Sequence, residues 1–444
     1  MFVRSSENLL RIMRDTALCN RCGTCVGLSD GRIIFHDKEN KYLPQWIDAV
    51  DEPTAEIIYR ACTGKGVDFS NLDKAVFEGK RNYHPYIGSF RQIGIAWSNV
   101  PEIRSVSSSG GLLSHFLIYL LRKKEIDGAV VLGMSREKPW QNEAFIATTP
   151  EEILSAAQSK YTISSVNEIL PQIAAFEGKL AYTGLPGQVQ SVRILQQMQH
   201  PSVKNIRYVI GPFFGNILHF SSVISLLRSF GIKNYHQIKK LEFRAGEWPG
   251  VMRIEMQSGE VVQLKKFHAN YLIPFHICKS SLYCIDFTNE FTDLSGGDAW
   301  APEYEERGKG FSLIITRSNL GDAILNEMVE RNEISFLPLS PEEAIKMHSH
   351  GYDFKKRGAF IRMRYRKWSG RMVPEYRIQP GRFPFSRWLM EAVIIFLFSL
   401  MTSRFARWLS EKIPPEMLGR IFEAARKFWK KNTASIKKNK LVQT

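Results

Sequence analysis

Three cysteines within seven residues, Cys19, Cys22 and Cys25 in the run CNRCGTC, are the densest chemistry in a chain that holds only six. The spacing C-x2-C-x2-C lets one tight loop present three thiolates to a cubane cluster while a fourth arrives from elsewhere. Cys62 is the nearest further cysteine, and its setting, ACTGKG, is a glycine-containing turn suited to bringing backbone amides near cluster sulfurs. Zinc competes for such ligands. Structural zinc sites more often use two separated C-x2-C pairs, so the spacing favours iron–sulfur. A cluster implies electron transfer, which directs the search to an organic redox partner. The loop from Arg104 through Ser105, Val106, Ser107, Ser108, Ser109, Gly110 and Gly111 precedes a run with helical spacing. It offers hydroxyls and unpaired amides to a phosphate or to the anionic edge of a reduced flavin. Serine-rich loops also cap helices for structural reasons alone. Thr183–Gly184–Leu185–Pro186–Gly187 is a turn, not a dinucleotide fingerprint.

The elements that must position these groups follow from periodicity. Leu112, Leu113, Phe116, Leu117, Leu120 and Leu121 predict a helix, followed by a strand over 129–133. A strand over 179–183 leads through the Gly184–Gly187 turn into a helix over 188–198; a third strand, 207–211, leads into a helix over about 219–230. Strands alternating with helices predict an α/β layer with a mainly parallel sheet. Past Glu242 the texture changes: two alternating runs around Gln257–Glu260 predict a hairpin, so a second α+β portion begins near 240.

With 444 residues, 44% of them apolar and 12% aromatic, the chain can bury real cores in two globular units. Six cysteines are too few for a disulfide-stapled secreted protein, and the N-terminus lacks a continuous apolar signal segment, which points to a reducing, cytoplasmic compartment. The net charge of +16 is confined to one end: residues 351–444 carry 22 Lys and Arg against 6 Asp and Glu, and the first 350 residues balance. A neutral body argues against a nucleic-acid partner and for an appended electrostatic device. Within the tail, Ala392–Met401 is strongly apolar but well short of the ~20 residues of a membrane span. Met417, Leu418, Ile421, Phe422, Ala425, Phe428 and Trp429 share a helical face flanked by Arg420, Arg426, Lys427, Lys430 and Lys431. That is the form of a helix lying on an anionic membrane, which would seat the protein on the inner face; the same pattern also suits a helix packed on the protein's own core.

Taken in order, CNRCGTC, ACTGKGVDF, RSVSSSGGLLSHFLIYLL, SKYTISSVNEIL, YTGLPGQVQSVR and CIDFTNEFTDLSGGDAW resemble the signature of the coenzyme F420 hydrogenase/dehydrogenase beta-subunit family, which includes ferredoxin-dependent chlorophyll-intermediate reductases. The resemblance covers about residues 15–335. It implies an FAD-containing iron–sulfur oxidoreductase passing electrons from ferredoxin or a deazaflavin coenzyme to an organic acceptor. It also implies a flavin pocket lined by Arg104, Ser107, Ser108, Ser109, Gly110, Gly111, Lys160, Tyr161, Gly184, Pro186 and Gln188. Lys160 is expected to stabilise the reduced flavin, with Asp286 and Asp298 as further candidate catalytic groups; His115 and His219 read as packing residues. The chain departs from two-cluster members at Gly187, Phe214 and Ser281, where those members carry cysteines. The expectation is therefore one 4Fe-4S cluster on Cys19, Cys22, Cys25 and Cys62, with Cys278 and Cys284 as ordinary buried thiols.

The whole reads as an α/β core with an N-terminal iron–sulfur segment (1–85), an α/β flavin-binding domain (86–240), a second α+β portion (241–345) and a basic helical C-terminal tail (346–444). A membrane-surface accessory or assembly protein, holding a structural metal site and catalysing nothing, is the competing reading.

Overall fold

The structure, a computed structural model, describes residues 4–37, 41–305 and 309–438. Its centre is an eight-stranded sheet. In chain order the strands are β1 (Gln92–Ser98), β2 (Gly128–Met134), β3 (Asn142–Ala147), β4 (Leu180–Thr183), β5 (Ile206–Pro212), β6 (Leu294–Asp298), β7 (Ser312–Thr316) and β8 (Ile334–Pro338). Across the sheet they run β8-β1-β7-β6-β5-β4-β2-β3. Only β2–β4, β4–β5 and β5–β6 pair in parallel; the other four junctions are antiparallel, so the sheet is mixed rather than mainly parallel. The parallel centre is where crossover helices supply the connections, and its strands are buried nearly end to end, as two covered faces require.

The strands of 294–338 join β1 and β5 in this one sheet, so 241–345 is not a separate layer. What begins near 240 is an insertion: Ile238–Ala245, Val251–Met256 and Val261–Lys265 form a three-stranded antiparallel sheet, with the hairpin where the sequence predicts it.

Helix Leu112–Arg122 buries Leu112, His115, Phe116, Leu117, Ile118, Tyr119 and Leu120 against one face of the sheet. Helix Pro186–Gln197 covers the other, burying Val189, Val192 and Leu195 with Val209 and Phe291. The predicted helix 219–230 is observed over Ser221–Ser229. At the N-terminus, helix Ser5–Arg14 packs on helix Glu52–Ala61, whose first turn is capped by Asp51 accepting from Thr54 N at 2.9 Å.

The basic tail is partly internal. Residues 349–368 form one continuous helical run with a π-helical stretch at Asp353–Gly358, and Lys355, Lys356, Arg357, Arg362 and Arg366 along it are buried. Arg362 and Arg387 both pair with Glu391, and Arg387 with Asp353 at 3.0 Å. An extended strap follows: Val373, Tyr376, Ile378 and Phe383 enter the core, and Glu375 N donates to Lys65 O at 2.8 Å, laying the strap across the turn after Cys62. Three helices close the described chain: Phe385–Met401, Arg404–Ser410 and Pro415–Lys438.

Candidate functional site

The cysteine loop is shaped by two residues with left-handed backbone, Arg21 (φ 56°) and Gly23 (φ 92°). Gly23 has no alternative there: a Cβ would meet Glu168 N at 2.5 Å and Ser165 O at 2.7 Å. Arg21 is buried, and its guanidinium donates to Cys19 O at 3.0 Å and to Lys41 O at 3.0 and 2.9 Å, locking the loop from inside. Cys22 O accepts from Asn167 N at 3.0 Å, while Asn167 Nδ2 donates to Thr24 Oγ1 at 2.9 Å. Cys62 ends helix Glu52–Ala61 and opens the turn Thr63–Lys65.

This folding brings four thiols together. Cys25 senses Cys22, Cys19 and Cys62 electrostatically, and Cys19 senses Cys22 and Cys62. Burial pushes all four up, Cys19 to about 12 and Cys62 to about 11. Backbone amides pull the other way: Arg21 N–H points at the Cys19 sulfur, Thr24 N–H at Cys22, Val26 N–H at Cys25, and those of Gly64 and Lys65 at Cys62. Among the described residues no three His, Cys, Asp or Glu side chains converge closely enough for a single metal ion.

Cys278 and Cys284 stand apart, sensing charged neighbours but none of the four thiols. Cys278 is buried among apolar residues, and Cys284 Sγ lies 3.6 Å from Asp286 O. Beside Cys284 the space is filled: the Lys355 ammonium sits 4.2 Å over the Phe214 ring and donates to Ser281 O at 2.8 Å.

A cavity of about 660 Å³ opens at the carboxyl ends of the parallel strands β4, β5 and β6, where open α/β sheets bind ligands. It gathers Ser107, Ser108, Ser109, Gly111, Lys160, Tyr161, Gly184, Gln188 and Asp298 from the sequence-predicted set. Helix Leu112–Arg122 begins at this wall with no side-chain cap, so its first amide groups are available to an anion. Lys160 Nζ donates to the carbonyls of Ala156, Ala157 and Gln158 at 2.5, 2.7 and 3.2 Å, and burial pushes it down to about 7. Arg244, from the inserted sheet, ties the site together by donating to Asp298 Oδ2 (3.0 Å), Tyr161 OH (3.2 Å) and Ser108 O (2.6 Å).

Four predicted residues lie outside this wall. Arg104 turns away to donate to Gly310 O at 2.9 Å and stacks on Phe311. Gly110 is wedged between β1 and β7, where a Cβ would meet Ala96 O at 2.6 Å. Pro186 is buried in the first turn of its helix. Asp286 is fully buried and accepts from Gln190 Nε2 (3.0 Å) and Glu290 N (3.1 Å), fixing the turn that follows it; burial pushes its carboxyl up against the pull of Lys356 and Arg317. Its place is in the core beside this turn, not at the cavity wall. Sequence reasoning missed the loop Phe213–Asn216 after β5, Lys266, His348 and Arg426, all of which line the cavity. A strand followed by PFFGN was the available signal for the first; Arg426 lies on the helix Pro415–Lys438, whose apolar face the sequence shows but whose docking beside the cavity no local pattern predicts.

One turn joins the two sites. Gly184 and Gln188 line the cavity, and between them Gly187 O accepts from Thr63 Oγ1 at 3.2 Å, which in turn accepts from Asn20 Nδ2 at 3.0 Å. Gln188 pins the turn by accepting from Leu185 N (2.7 Å) and donating to Ser164 O (2.5 Å). One helical turn on, Ser191 Oγ bonds Thr24 Oγ1 at 2.7 Å, between Cys22 and Cys25.

Residues 94–171 match the family model described as coenzyme F420 hydrogenase/dehydrogenase, beta subunit N-term, and 177–342 the model for its C terminus. The chain is 24% identical over 357 residues to the coenzyme F420-dependent sulfite reductase of Methanocaldococcus jannaschii, covering 77% of this chain and 51% of that protein, so it spans about half of that relative's length. It is 27% identical over 252 residues to the coenzyme F420 hydrogenase subunit beta of Methanosarcina barkeri, covering 55% of this chain and 81% of that one. A chain from the F420-reducing NiFe hydrogenase complex of Methanosarcina barkeri superposes with a TM-score of 0.52 at 22% identity, covering 66% of this chain and 98% of that chain, a likeness of fold.

Proposed function

The chain belongs to the coenzyme F420 hydrogenase/dehydrogenase beta-subunit family, and from that premise we propose that it is an iron–sulfur flavoprotein oxidoreductase, moving electrons between a carrier and an organic acceptor. The relatives' names, an F420 hydrogenase subunit and an F420-dependent sulfite reductase, favour a deazaflavin over ferredoxin as that carrier.

The residues fit the groups this reading requires. Four neighbouring thiols, Cys19 buried and Cys22, Cys25 and Cys62 half-buried, suit a cubane. The amides directed at their sulfurs are the dipoles that stabilise charge on bound thiolates. The cavity is of the size a cofactor needs, with an uncapped helix N-terminus and serine hydroxyls for phosphate oxygens. Bound there, a 4Fe-4S cluster would supply one-electron steps and FAD would join them to two-electron chemistry. The chain's own residues then have defined work. Cys19, Cys22, Cys25 and Cys62 hold the cluster, and the strap around Glu375 keeps water from the Cys62 turn. Arg244 fixes the Ser108 carbonyl, Tyr161 and Asp298 relative to one another. Lys160 places a buried amine, with its protonation poised near neutrality, at the cavity wall.

The observation that carries the reading is the turn Gly184–Gln188, which lines the cavity and bonds Thr63 beside Cys62, so the residues that would hold the two groups meet at one turn. Anaerobic purification with iron, acid-labile sulfide, zinc and flavin measured per chain tests it. About four iron, about four sulfide and about one FAD are expected. Zinc without flavin would instead favour the accessory-protein reading.

A further inference from the structure

Twelve of the 22 large apolar side chains exposed among the described residues lie between Phe385 and Phe428. On helix Phe385–Met401 they fall on one face, Phe385, Leu389, Val393, Phe396, Leu397 and Leu400, as a repeat of 3.6 residues per turn requires. The opposite face, Arg387, Met390, Glu391 and Ile394, is buried against the body. Phe405, Trp408 and Leu409 extend the exposed apolar surface onto the next helix, and Met417, Ile421 and Phe428 onto the third. Phe396, Phe405 and Phe428 are 64%, 69% and 70% exposed, respectively, values foreign to an aqueous surface of ordinary composition. From 404 to 438 these helices carry ten Lys and Arg against three Glu. No single described helix is long and apolar enough to cross a membrane, and Phe385–Met401 meets Arg404–Ser410 at a bend of 73°. One-sided exposure, bent helices and basic flanks are the features of a surface that lies in the membrane interface.

A second cavity, of about 570 Å³, opens on the flank of the first of these helices. Ile395, Phe398, Ser399 and Thr402 of that helix line it together with Arg11, Arg14, Lys279 and Arg371. Among the described residues these four cations make no ion pair, and Asp15 is the only acid in the lining, already paired to Arg366. Burial, and after it the neighbouring Arg371, Arg366 and Arg407, hold the Lys279 ammonium below its usual pKa against the pull of Asp15. A lining part apolar and part basic suits an amphiphile's headgroup and first methylenes.

We propose that the three C-terminal helices seat this protein on an anionic bilayer, and that the cavity beside Phe398 takes the phosphate headgroup of a lipid between Lys279, Arg371, Arg11 and Arg14. An acidic protein partner would match the cations but not the row of exposed phenylalanines beside them.

The test is co-sedimentation of the full-length, anaerobically purified protein with vesicles of phosphatidylcholine alone and with about a third phosphatidylglycerol. Wild type is expected to bind the anionic vesicles at least about tenfold better than the neutral ones. The pair Phe396→Asp and Phe405→Asp, on exposed positions that leave the core intact, is expected to lower binding to both vesicle types by at least about tenfold with unchanged circular dichroism. The pair Lys279→Glu and Arg371→Glu is expected to abolish the anionic preference alone, and inorganic phosphate to compete only weakly. Wild type left in solution with anionic vesicles overturns the proposal. So do apolar-face variants that bind as wild type, and cavity variants that keep the anionic preference. Phosphate that saturates the cavity without any vesicle binding would assign it to a soluble anion instead.

Discussion

Glu391→Gln probes the joint on which the tail's orientation depends. Glu391 is fully buried on helix Phe385–Met401, one oxygen on Arg362 and the other on Arg387. Burial works against its charge, but the two arginines outweigh it and hold its pKa below the usual range. Removing one partner of a buried ion pair costs about 3–5 kcal/mol, because the surviving charge stays desolvated. Here the low end applies. Arg387 keeps Asp353 at 3.0 and 3.2 Å, and Arg362 keeps the carbonyls of Leu282 and Phe354, both at 2.6 Å. A loss of about 3 kcal/mol, concentrated where the helix meets the body, raises its local opening about 150-fold at about 1.4 kcal/mol per decade. Hydrogen exchange of the amides in 385–401 reads this directly. Glu416→Gln, on an exposed site at the start of the last helix, is the control and should change nothing. Protection in Glu391→Gln within about threefold of wild type would refute the idea that this network anchors the tail.

Other consequences can be measured alongside. Gly23→Ala should displace the cysteine loop and remove most of the iron, since its Cβ would meet Glu168 N at 2.5 Å; Gly31→Ala, also left-handed (φ 78°) but facing open space, should cost only about 1 kcal/mol and keep the iron. Cys22→Ser should abolish the cluster's visible absorption and Cys278→Ser leave it intact; loss of iron in both would undo the four-thiol assignment. His348 should make stability fall on acidification, against Glu168 and Glu290, whose burial raises them to about 7 and acts the other way. Burial holds His348 at about 4, below the ~6.5 of an unfolded histidine, so between those values the unfolded chain takes up the proton first. By pH 5 that amounts to about 2 kcal/mol, read as a urea midpoint that falls less between pH 7 and 5 in His348→Phe than in wild type; equal pH dependence in the two would contradict it.

The sequence made the local parts of this molecule legible and left the long-range ones hidden. The strands 129–133, 179–183 and 207–211, the helix before the first and the helices after the other two stand where periodicity puts them, because each buries one face of a single element. Strand direction is not local: β6, β7 and β8 return to β1 and β5 across an insertion of three strands, so nothing within 294–338 announces the antiparallel pairing. The cavity residues were legible where a turn chemistry marked them, as in Ser107–Ser109 and Gly184–Gln188. The placement of Asp286 outside the cavity was hidden because a carboxylate beside a turn looks alike from the sequence whether it faces a cavity or caps Glu290 N. Charge counting failed in the same way: it cannot tell a solvated arginine from Arg362 or Arg387, each fully buried and paired.

That last point decides how the tail can be studied. Among the described residues its basic side chains include a set that holds the protein together and a set that faces outward. Lys356 pairs with Glu290, Arg366 with Asp15, and the strap with the Cys62 turn, so the segment up to Phe383 completes the cysteine site rather than decorating it. Cutting after Arg382 would keep most of that strap but remove Phe383 from the core, strip Glu391 from Arg362 and uncover the apolar core beneath Phe398 and Phe422. A truncated protein that loses its cofactors would therefore say nothing about what the tail binds. Point changes on Phe396 and Phe405 touch only the outward set, and a protein that keeps iron and flavin while losing its hold on vesicles would separate the two roles that one stretch of chain carries.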